Sequence, residues 1–131
     1  MLNSIDISTS ALVAQRHRLN TIAGNIANAS TTRNERDEVQ PFQRRIVEFY
    51  EDAQGTGEVG FRVEVDTATP FRREHDPGHP DAGPDGYVNY PNVELTSEFV
   101  NAMLATRAYE ANVSAVQMAE EMTQLTLQIL A

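Results

Sequence analysis

Both ends of this chain carry apolar residues at coiled-coil spacing, and the middle does not. Ile5, Leu12, Leu19 and Ile26 recur every seven residues. Leu95, Phe99, Ala102, Tyr109, Val113 and Val116 step by threes, fours and one seven. Each set lines one side of a helix. A helix draws most of its stability from burying such a face, so two amphipathic arms around a polar middle point to ends that pack on each other or on copies of the same chain.

The first arm is expected from about Ile5 to Asn28. Ile22, Ala23 and Ala29 widen its stripe, and Gln15, Arg16, Arg18 and Asn25 occupy the other face. The Asn, Ser and Thr residues of 28–32 compete with the backbone for hydrogen bonds and should end it. Gly24 is a helix-interior defect costing about 1 kcal/mol against alanine, which a close helix contact could exploit. The second arm starts after Pro91, with Asn92 as the expected N-cap, and no glycine or proline follows. From Val93 to Leu130 it would be about 57 Å long at 1.5 Å per residue. Its stripe shifts face near Ala119 and continues through Met118, Met122, Leu125 and Ile129.

The middle holds all six prolines and most of the glycines. Phe61, Val63 and Val65 alternate with charged residues, as in a half-buried strand. Phe42 to Tyr50 is its expected partner, with the turn across Gln54 to Gly60. Residues 75–86 are too rich in Pro and Gly for regular structure and read as a surface loop. The expectation is a mainly α chain with a small β insert, an α+β arrangement in three parts: an N-terminal helical arm over 1–32, a β/loop insert over 33–92, and a long C-terminal helix over 93–131.

With 131 residues the chain has room for one domain with a modest core. Its net charge is −9, and all ten of its basic residues are arginine. An acidic chain without a basic run is a poor partner for nucleic acid or anionic lipid. The absence of cysteine removes disulfides, thiolate metal sites and a cysteine nucleophile. No stretch is apolar enough for insertion into a membrane, and the N-terminus lacks the pattern of a cleaved secretory signal.

Candidate chemistry is weak. His75 and His79 are four apart, but Pro77, Gly78 and Pro80 forbid the helix that would make that spacing a zinc site. Ser8, Thr9 and Ser10 have no triad partners at suitable spacing, and Gly55, Gly57 and Gly60 lack the lysine of a phosphate loop. No catalytic, metal, cofactor or small-molecule substrate site is expected. Asn25, Arg107, Tyr109 and Asn112 are polar or half-polar groups on the arms that could set register between subunits, as buried polar residues do in coiled coils.

The same residues resemble the rod and hook proteins of the bacterial flagellum. The N-terminal signature is matched by Ser10-Ala11-Leu12-Val13-Ala14-Gln15-Arg16 through Arg18-Leu19-Asn20 and by Asn25-Ile26-Ala27-Asn28-Ala29. The C-terminal one is matched by Pro91-Asn92-Val93, Glu98 to Asn101, and Ala105-Thr106-Arg107-Ala108-Tyr109-Glu110-Ala111-Asn112. The short length, and the run Gly86-Tyr87-Val88-Asn89-Tyr90-Pro91 after Asp76-Pro77-Gly78-His79-Pro80, are similar to the proximal-rod branch of that family.

The resemblance implies export through the flagellum's own type III apparatus without a cleaved signal, and a place in the periplasmic rod of the basal body. It further implies assembly with copies of itself and other rod proteins into a hollow helical shaft that transmits torque. Ile5, Leu12, Leu19, Ile22 and Ile26 would then pack on the second-arm stripe, with Asn25, Asn28, Pro91, Asn92, Arg107 and Asn112 as motif positions. Two other readings start from the residues alone. One is a monomeric or hetero-oligomeric binding module using the 42–66 strands; the other is a hydrolase built on His75 or His79.

Overall fold

The computed structural model describes residues 2–51, 55 and 57–130. Two helices, α1 (Leu2–Ala27) and α2 (Leu95–Leu130), flank four strands: β1 (Arg45–Glu51), β2 (Val59–Val65), β3 (Arg72–His75) and β4 (Tyr87–Tyr90). The strands form two separate antiparallel hairpins, β1–β2 and β3–β4. The α+β expectation holds, but β3–β4 was not foreseen. The expected turn across Gln54–Gly60 lies partly outside the described residues.

α1 is the hub, packing against α2 on one side and against β1–β2 on another. Double coverage explains why its most buried line is Ala14, Ile22 and Asn25, while Ile5, Leu12, Leu19 and Ile26 are half-buried. α1 ends as its polar tail demands. Asn28 Nδ2 donates to Gly24 O at 2.8 Å, and Thr31 Oγ1 donates to Asn28 Oδ1 at 3.2 Å.

β1 and β2 pair with Phe49 opposite Phe61 and Val47 opposite Val63. Those residues share one face by the two-residue period of a strand, and that face meets α1. Phe61 stacks on His17 with ring centroids 4.1 Å apart, Arg18 lies over Phe49, and Val59 N donates to Ser10 Oγ. The other face is wet and carries the Glu48–Arg62 pair. Two-stranded hairpins are marginal in water alone, so the α1 contact is what holds this one.

The second hairpin hangs on Val88, which is fully buried. Arg72 lies over Tyr90 and Arg73 over Tyr87. The segment 76–86 is closed by Asp76 N donating to Gly86 O at 3.1 Å, with Gly86 in the left-handed region at φ 75°. It is more than a solvated loop. Asp81 is buried and accepts from Thr32 Oγ1 at 2.6 Å and from Arg33 Nε at 2.8 Å, which straps the loop to the end of α1.

The insert leaves the helical frame and returns to it at one place. Arg44 N, at the outgoing end, donates to Asn92 Oδ1, at the returning end, at 3.0 Å. Asn92 Nδ2 also donates to Thr69 O at 3.1 Å. Asn92 is therefore not the N-cap of α2. Glu94 holds that position, since its carbonyl accepts the first helical bond, from Glu98 N at 3.0 Å. The asparagine serves the longer-range closure instead.

Candidate assembly interfaces

The contact between α1 and α2 is not built on the large residues of the expected stripe. Leu95 and Phe99 turn away from α1 and are 46% and 56% exposed. Ala102, Val113 and Val116 are half-buried, and Tyr109 sits at the margin. The most buried line of α2 is Glu98 and Ala105, continued by half-buried Asn112 and Ala119, each seven residues apart. The cause is a polar cluster that rotates α2 on its axis. Glu98 must face inward to reach its partners, and small side chains then fill the seam.

That cluster was missed from sequence. Glu98 is 0% exposed and Asn25 is 1% exposed. Arg44 Nε donates to Glu98 Oε1 at 2.6 Å, and Asn25 Nδ2 donates to Glu98 Oε2 at 3.2 Å. Asn25 also grips the start of β1 from both sides: Nδ2 donates to Arg45 O at 2.8 Å and Oδ1 accepts from Arg45 N at 2.9 Å. Arg44 reaches Asp66 at 3.8 Å, at the end of β2. One knot thus joins α1, both strands of the first hairpin, and the start of α2. Buried ions hold only when paired and fully hydrogen-bonded, and here both carboxylate oxygens of Glu98 are engaged. The signal available in the sequence was Glu98 itself, a charge at the head of a small-residue face that continues through Ala105, Asn112 and Ala119.

Two carboxyls nearby sit below the ordinary carboxylate range. Asp81 is lowered chiefly by the hydrogen bond from Arg33, and then by the Thr32 hydroxyl. Asp66 is lowered chiefly by the Thr69 hydroxyl, and then by the backbone N–H groups of Thr69 and Ala68. Arg33 is raised in turn by Asp81 and Asp37.

A second apolar line runs along α2 about a quarter of a turn away from the seam. Leu104, Ala111, Met118 and Leu125 recur every seven residues, and so do Ala115, Met122 and Ile129. All seven are exposed, Ile129 to 84%. Leu95, Phe99 and Met103 add an exposed patch at the start of the helix. Monomeric proteins rarely leave so much contiguous apolar surface in water. Sequence periodicity predicts only the lower half of this line, Met118 to Ile129, and as a drift of the first stripe.

The remaining motif positions are scattered. Asn28 caps α1, Pro91 is buried beside Asn92, Arg107 is exposed, and Asn112 lies on the seam. His75 packs edge-on against Tyr87, and His79 Nδ1 accepts from Asp81 N at 3.1 Å. Among the described residues, no group of three or more His, Cys, Asp or Glu side chains is disposed to hold a metal ion. No helix among them is long and apolar enough to cross a membrane.

Two protein families match the chain at its two ends. Residues 5–33 match the family described as flagella basal body rod protein, and residues 85–129 match the C-terminal family of the flagellar basal body rod FlgEFG proteins. Similarity to individual proteins extends across the whole chain. The flagellar basal-body rod protein FlgC of Salmonella typhimurium is 38% identical, over 97% of this chain and 96% of its own length. The FlgC proteins of Bacillus subtilis and Aquifex aeolicus are each 35% identical, over 97% and 98% of this chain and 96% of their own lengths. The paired terminal signatures fall on α1 and α2, the identity runs through the insert between them, and the chain belongs to the FlgC family of flagellar basal-body rod proteins.

Proposed function

We propose that the chain is a structural subunit of the flagellar basal-body rod that polymerises through α1 and α2 into a hollow helical shaft. The observation that carries this reading is the exposed heptad line of α2, from Leu104 to Ile129. A helix 36 residues long cannot be covered by a 26-residue partner, so its last turns and its outer face need neighbours. Fully covering one Leu, Ile or Met contributes about 1.5–3 kcal/mol, enough in series to drive association.

The contact is heterologous, so that it propagates instead of closing into a pair. Charge fits this direction. The first 32 residues carry Asp6 against Arg16 and Arg18, whereas α2 and its N-cap expose Glu94, Glu110, Glu120 and Glu121 against Arg107. α1 of one copy therefore attracts α2 of the next more than it attracts another α1. Ile5, Leu12, Leu19, Ile22 and Ile26, with the α2 residues Leu95, Phe99, Ala102, Tyr109, Val113 and Val116, form the packing set; those left exposed in one chain are covered by the next. The subunit reaches the periplasmic rod through the flagellar export apparatus without a cleaved signal, and its partners are other rod proteins and copies of itself. Its role is mechanical and not enzymatic.

The test is Met118→Asp and Leu104→Asp in cells that depend on this chain for motility. Both sites are exposed, so the purified variants should keep wild-type helicity by circular dichroism. Rods and motility should be lost. Intact rods in both variants would refute the α2 outer face as an assembly surface.

A further inference from the structure

An open groove of about 800 Å³ runs along the second half of α1 between the helix and the end of the first hairpin. Gly24 lies on its floor, and Phe42, Val63 and Val65 stand on its far wall. Val63 and Val65 are exposed although they belong to the strand face that turns toward α1. Gly24 has no reason within its own chain. A Cβ built there meets nothing within 4 Å, and its backbone is not in the left-handed region. A glycine inside a helix destabilises it, and no close approach in the monomer compensates.

We propose that this groove receives the C-terminal end of α2 from a second copy of the chain, an inference that rests on polymerisation through the terminal helices and names one of its contacts. Dimensions agree. From His17 to Asn28 the groove follows about 17 Å of helix, and Met118 to Leu130 is about 18 Å at the same rise. Chemistry agrees as well. The incoming segment offers Met118, Met122, Leu125 and Ile129 to the exposed valines. Glu121 flanks that stripe at its edge, while the groove carries Arg45, Arg33 and His17 against one acid, Glu35. Arg33 is already engaged with Asp81 and Asp37, so Arg45 is the cation that meets the incoming Glu121. The bare backbone at Gly24 lets the second helix approach closely.

The chain has no cysteine, so single thiols can be placed at will. Val65→Cys and Leu125→Cys versions are co-expressed in cells that build rods, oxidised, and run without reductant. A band of twice the subunit mass should form only when both versions are present. Gly24→Leu should reduce that band roughly tenfold or more, while leaving the melting temperature of the purified chain at or above the wild-type value. No dimer, equal dimer from either version alone, or full yield in the Gly24→Leu background would overturn the proposal. Rods counted in the same wild-type preparation separate this outcome from failure of the polymerisation reading, since rods without the cross-link sink only the groove.

Discussion

Arg44 Nε lies 2.6 Å from Glu98 Oε1, and the carboxylate it meets is sealed from solvent. The arginine comes from the entrance to the first hairpin and the glutamate from the first turn of α2. Breaking such a pair from one side leaves an uncompensated buried charge. Glu98→Leu or Arg44→Leu should each destabilise the chain by about 3–5 kcal/mol, whereas the double replacement should cost much less than the sum. Urea denaturation of the three variants measures this. Simple addition of the two single effects would show that the pair is not coupled.

Acid should loosen the strap made by Asp81. Its folded-state pKa is depressed by Arg33 and Thr32, so its contribution is complete above the unfolded value, about 3.9, and is lost as pH falls through the folded value. Asp66 shifts in the same direction and adds to the same window. The urea midpoint of the wild-type chain should therefore drop between pH 5 and pH 2. The drop should be smaller in Asp81→Asn, which starts lower at pH 7.

Gln15 has a buried amide oxygen without a hydrogen-bond partner among the described residues. A buried acceptor left unpaired costs about 1–3 kcal/mol. Gln15→Leu should accordingly leave stability unchanged or raise it by about 1 kcal/mol. A destabilisation by thermal melting beyond that size would mean that the oxygen is satisfied in solution.

The last turns of α2 should behave differently alone and in the rod. Leu125, Leu127, Ile129 and Leu130 are all more than half exposed. Backbone amides of 124–130 should exchange quickly in the free subunit and become protected on assembly, while those around Asn25 and Ala105 stay slow in both. Equal protection at 124–130 in the two states would remove the case for burial there.

Periodicity made the two helices legible, α1 by the seven-residue repeat of Ile5, Leu12, Leu19 and Ile26 and α2 by apolar steps of three, four and seven. Alternation at Phe61, Val63 and Val65 likewise exposed β2. What periodicity could not show was rotation. Hydrophobic size favoured Leu95 and Phe99 as the inner line of α2, but a single buried ion pair at Glu98 turned that helix and sent them outward. Long-range polar pairs of this kind, Glu98 with Arg44 or Asp81 with Thr32, join residues about fifty apart and leave no local pattern. The β3–β4 hairpin was hidden for a related reason. Its strands are four residues long and mostly exposed, and Val88 is their one buried residue.

The bond from Arg44 N to Asn92 Oδ1 closes a neck through which the whole insert departs and returns. The first hairpin beyond that neck is also braced on α1 through Ser10 and His17, and the 76–86 loop is tied back at Thr32 and Arg33, so the outgrowth is anchored to the helices at several points. Force applied at the periphery is therefore shared between α1 and α2 and does not fall on one hinge.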